Sequence, residues 1–140
     1  MVLLTGCAEQ VPEQTVTRLE AFAGSPLLQP PPSATRVERY LYTDCVNPDS
    51  PEAPVNGVRF DRGDAASAAE AVERYGRLAV DDGWGLVQRN RPSESGLPDE
   101  SAYYQRHMGD WVAEFGVVTA PDGTTYLETK QREPLDYCSG

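Results

Sequence analysis

Between Asp64 and Asp82, Ala65, Ala69, Val72, Tyr75, Gly76 and Ala79 recur at helical spacing with charged residues between them. That pattern predicts an amphipathic helix with one apolar face. Asp64 is placed to cap its first turn, and Ser67 with Glu70 offers a competing capping box one turn later. Gly83 supplies a left-handed C-terminal residue, after which Trp84 can fold back on the last turn. The small residues on the apolar face imply close packing against a sheet, with Gly76 marking the closest approach.

A two-residue period replaces the helical one elsewhere. Arg36 to Val46 reads as a strand with Val37, Leu41, Thr43 and Cys45 on one face and Tyr40, Tyr42 and Asp44 on the other. Val58-Arg59-Phe60 follows the turn signal Asn56-Gly57 as a short strand. Gly85 to Asn90 and Ala102 to Met108 are two more, separated by a loop over Arg91 to Glu100 that holds two prolines. From Trp111 to Thr119, Trp111, Ala113, Phe115 and Val117 alternate with Val112, Glu114, Gly116 and Val118; Ala120-Pro121-Asp122-Gly123 then turns into a returning strand, Thr124 to Gln131. One long helix packed on an antiparallel sheet of about four to six strands, an α+β fold, is the expected architecture.

The N-terminal third has a different texture. Val16, Leu19 and Phe22 suggest a short helix ended by Gly24, and Gln29-Pro30-Pro31-Pro32-Ser33 suggests extended polyproline II. Residues 7–35 therefore read as a tether carrying a short helix, and 36–140 as a single domain.

Composition narrows the function. Lys plus Arg total 12 against 22 Asp plus Glu, a net charge of −10 in 140 residues. Such a chain is repelled by nucleic-acid phosphates and by anionic head groups, so nucleic acid is not an expected partner and a basic membrane-binding face is excluded. No apolar run reaches the 18 or so residues of a membrane-spanning helix.

Leu4-Thr5-Gly6-Cys7 resembles a bacterial lipobox, with two small residues before a cysteine that follows hydrophobic residues. The resemblance implies lipidation of Cys7, cleavage before it, and residues 1–6 as the remnant of a signal peptide whose basic start and apolar run lie upstream. With the Pro-rich spacer, the Asp44-Cys45 pair and a helix ending in Asp82-Gly83-Trp84, the chain is similar to small exported lipoproteins of high-GC Gram-positive bacteria. That implies a location at the extracytoplasmic face of the cell membrane, held through the lipid. It carries over no catalytic residues. Once Cys7 is assigned to lipid, Cys45 and Cys138 remain as an even pair for an oxidising compartment. Bridging them closes a loop worth on the order of 4 kcal/mol in chain entropy.

Reaction chemistry is harder to find. His107 is the single histidine, no Gly-x-Ser-x-Gly elbow is present, and the usual zinc ligand set cannot be assembled, so no metal site or cofactor is assigned. Asp44, Asn47, Asp49 and Glu52 crowd one turn and Asp61 with Asp64 flank another, without EF-hand spacing. Tyr40, Tyr42 and Tyr126 are expected to share a sheet face with either Tyr103 or Tyr104, which as strand neighbours point opposite ways. If open, that face suits binding a protein or envelope ligand. A non-enzymatic binding module is the favoured reading; the alternative is a small extracytoplasmic hydrolase using carboxylates around Asp44, Asp61 or Glu114.

Overall fold

The computed structural model describes residues 13–42, 55–62 and 67–133. Within them an antiparallel sheet is backed by helices, an α+β fold. Helix α1 (Glu13–Glu20) leads through a 3-10 turn (Pro26–Leu28) into β1 (Thr35–Tyr42) and β2 (Val55–Asp61). Helix α2 (Ala68–Asp81) and β3 (Gly85–Asn90) follow, then a single-turn α3 (Pro92–Ser95), β4 (Glu100–His107), β5 (Val112–Thr119) and β6 (Thr124–Glu133). The six strands run in the order β1-β2-β6-β5-β4-β3, each antiparallel to its neighbours.

One face of the sheet is the core. The alternation in β5 buries Ala113, Phe115 and Val117, which meet Val58 and Phe60 of β2, Leu127 of β6, and Ala102 and Tyr104 of β4. Val72, Tyr75 and Ala79 of α2 close this layer from above. Phe115 meets Trp84 edge-on and Tyr104 through a tilted ring, with centroids 6.1 and 6.2 Å apart. Such offset aromatic contacts add to the area that they bury.

Helix α2 starts at the second of the two capping signals. The Ser67 hydroxyl accepts the Glu70 amide at 3.1 Å, while Asp64 lies outside the described residues. At the other end Gly83 adopts φ 91°, the Trp84 amide donates to the Ala79 carbonyl, and the Gly83 amide to that of Val80. This pair of bonds is a Schellman motif, and it turns the Trp84 ring down into the core.

The N-terminal third departs from the tether expectation. Leu19, Leu27 and Leu28 are at most 1% exposed, and Phe22 packs on Trp84 and Trp111. Leu27 and Leu28 are buried because the Ser25 hydroxyl caps the 3-10 turn, while the Leu28 carbonyl accepts from Arg39 and the Gln29 carbonyl from the Tyr75 hydroxyl. Asn56 of β2 donates to the Leu19 carbonyl at the end of α1. Residues 13–29 are thus part of the domain, whose helical layer is shared by α1, the 3-10 turn and α2. The proline run is not one extended segment either, since the Ala34 amide turns back onto the Pro31 carbonyl.

β1 is an edge strand, so Val37 and Leu41 stay 47% and 39% exposed instead of entering the core. Arg36 sits at φ 54° where the β1–β2 register shifts between Thr35 and Glu38. A second shift at Val87 interrupts the other edge strand, β3. Irregularities of this kind hinder edge-to-edge association of sheets.

Candidate functional site

The face of the sheet opposite the helices is covered by no described element. Its central row crosses the strands in register: Tyr40 of β1, Gly57 of β2, Glu128 of β6, Gly116 of β5 and Tyr103 of β4. The two glycines matter because each leaves the space that a tyrosine ring fills. A Cβ on Gly57 would stand 2.7 Å from the Tyr40 ring, and one on Gly116 3.0 Å from that of Tyr103. Tyr40 reaches past Gly57 and its hydroxyl donates to Glu128 at 2.6 Å. The result is a carboxylate held between two tyrosines that close over glycine backbone.

Tyr126 occupies the next row, between Arg59 and Val118. Arg59 is ion-paired with Glu38, and its guanidinium is pushed above its ordinary range, first by hydrogen bonding to Tyr126 and then by the Glu38 charge. On the other side of the central row, Lys130 pairs with Glu114 at 3.6 Å. This face is therefore tyrosine-rich and half-buried, with Arg59 and Lys130 each paired to an acid and Glu128 met by the Tyr40 hydroxyl.

Of the tyrosines named from the sequence, Tyr40, Tyr103 and Tyr126 are brought together. Tyr104 is a correction to that set. It points into the core, 6% exposed, because its strand neighbour Tyr103 takes the open face. Tyr42 ends β1 in register with Val55. Cys7, Cys45 and Cys138 lie outside the described residues, as do the residues 1–6 and Asp44, Asn47, Asp49, Glu52 and Asp64.

Of the carboxylates singled out for hydrolysis, the two that are described, Asp61 and Glu114, do not converge. Asp61 lies 3.5 Å from Arg36 and lines a polar recess of about 240 Å³ that has no second acid among its lining residues. Glu114 faces Lys130, and His107 is exposed at the far end of β4. Among the described residues no three His, Cys, Asp or Glu side chains gather as a metal site, and no helix is long and apolar enough to cross a membrane.

A second feature was not visible in the sequence. Between α2 and β3 runs a groove of about 390 Å³, floored by Tyr104 and Gly76 and walled by Val72, Val80 and Leu86. At its base Arg89 and Glu100 form an ion pair at 2.5 Å, with side chains 13% and 8% exposed. Arg89 also donates to the Asn90 and Ser101 carbonyls. Burial pushes the Tyr104 phenol above its usual range, and the Arg89 charge partly offsets this. Only Gly76 hinted at the site in advance, as a point of close approach.

No family model, curated protein or solved structure matches the chain.

Proposed function

We propose that the protein is a non-enzymatic binding module, lipid-anchored through Cys7 at the extracytoplasmic face of the membrane, and that it meets its partner with the open face of the sheet. The observation that carries this reading is the row Tyr40–Glu128–Tyr103, a carboxylate set between two half-buried tyrosines on a face that no described element covers. Tyrosine presents an apolar ring and a polar tip at little entropic cost, which suits contact with a protein or an envelope ligand. α2 serves here as the one long helix that backs the sheet, on the side away from the tyrosine row. A Cys45–Cys138 bridge belongs to the same reading, and alkylation of non-reduced protein at either cysteine counts against it.

The test has two parts. In cell fractionation the wild-type chain with its leader goes to the membrane, and Cys7→Ser goes to the soluble fraction; equal membrane recovery of both rejects the anchor. Binding of the unlipidated protein to isolated envelopes should weaken about tenfold in Tyr103→Ala with Tyr126→Ala, the scale of losing a central aromatic contact. Unchanged binding in that variant rejects the tyrosine face.

A further inference from the structure

The groove between α2 and β3 collects hydrogen-bonding groups that have no partner. Among the arginines whose side chains are described, Arg77 and Arg91 make neither an ion pair nor a hydrogen bond, and both line this groove. The Tyr104 hydroxyl, on a residue 94% removed from solvent, is likewise without a hydrogen-bond partner there and lines the same space. Guanidinium groups are donors only, so what they lack is an acceptor, and a planar carboxylate is the acceptor they fit best.

The rest of the lining is apolar and stands in water. Val80 is 57% and Leu86 55% exposed, facing each other across the groove near the Gly83 turn. Because β3 runs back antiparallel to α2, Arg77 and Arg91 lie progressively farther from that turn than Val80 and Leu86. The exposed apolar pair thus sits nearer the turn, beside Asp81, and the unpaired donors farther along the groove. Glu73 and Asp81 also line it, one helical turn on either side of Arg77. With Arg89 neutralised by Glu100, the groove's net charge is close to balanced, and selectivity rests on the free donors.

We infer that this groove binds a small organic acid with an unbranched or aromatic apolar body. Its carboxylate meets Arg77, Arg91 and the Tyr104 hydroxyl, and its body covers Val80 and Leu86. The volume falls within the range of about 300–1,000 Å³ typical of small-molecule sites. This inference is independent of the tyrosine face on the opposite side of the sheet.

Octanoate is the probe, titrated calorimetrically into the whole folded chain, with octanol as its uncharged counterpart. The expected result is saturable one-to-one binding of octanoate, at least about tenfold weaker for octanol and for Arg77→Gln with Arg91→Gln. Tyr104→Phe, which keeps the buried ring, should weaken octanoate about threefold to tenfold while the melting temperature stays near wild type. Both substituted arginines are solvent-exposed, so the double variant folds and its affinity can be read. The inference is overturned if octanoate shows no saturable binding, if octanol binds equally well, or if the arginine variant binds octanoate like wild type.

Discussion

The hydroxyl oxygen of Tyr104 occupies the space in which a side chain on Gly76 would stand. Glycine in mid-helix costs roughly 1 kcal/mol against alanine, so α2 gives up propensity to let this phenol under its backbone. Gly76→Ala should therefore destabilise the domain by about 1–2 kcal/mol in urea unfolding, the strain of overpacking outweighing the helix gain. In a Tyr104→Phe background the same change should be neutral or stabilising by up to about 1 kcal/mol. Equal effects in the two backgrounds would show that the two residues are not coupled.

Arg89 and Glu100 form a buried ion pair, and neither partner tolerates the loss of the other. Glu100→Gln should cost about 3 kcal/mol, since it strands a buried guanidinium. Replacing both, as Arg89→Met with Glu100→Leu, should bring stability back to within about 1 kcal/mol of wild type. Chemical denaturation of the three proteins checks this, and a fully stable Glu100→Gln would refute it.

The docking of the N-terminal third is measurable in the same way. Leu27→Ala should cost about 2–4 kcal/mol, the usual range for a buried leucine. A tether residue would cost nothing, so a value near zero returns these residues to the status of a spacer.

Tyr40→Phe removes the hydrogen bond to Glu128 and keeps the ring over Gly57. A loss of about 1 kcal/mol is expected by thermal or urea unfolding. Gly57→Ala should be the more damaging change, because its Cβ meets the Tyr40 ring and not merely the hydroxyl.

Tyr104 also carries a pH dependence. Burial raises its folded pKa above the unfolded value, so its contribution to stability is complete below about pH 10 and is lost as pH rises through the folded value. In an absorbance titration of tyrosinate, one tyrosine should ionise later than the ordinary ones, and Tyr104→Phe should abolish that late step. A wild-type titration identical to that of the variant would be the contrary result.

Much of the architecture was legible because it follows from local chemistry. The alternation in β5, the Asp122-Gly123 turn and the Gly83-Trp84 helix end each act over a few residues, and each stands where the pattern places it. The position of residues 13–35 was not legible. Pro-rich composition is the same for a spacer as for a segment that turns back, and only distant partners, Arg39, Asn56 and Tyr75, decide between them. On the open face, alternation could group Tyr40 and Tyr126 but not choose between Tyr103 and Tyr104, a choice made by register with Gly116 and Phe115. The α2–β3 groove left almost no trace, since a missing partner for Arg77 or Arg91 is a property of three-dimensional neighbours.

The seam between β2 and β6 carries one more consequence. It pairs Val58 with Leu127, residues about 70 apart, whereas β3 to β6 succeed one another as neighbours in chain and in space. Closing so long a loop costs entropy before any contact across it repays the cost. The four-stranded meander with α2 is thus the natural first-formed unit, and β1–β2 the part that assembles onto it last. Until β2 pairs with it β6 is itself an edge, open to pairing with another copy.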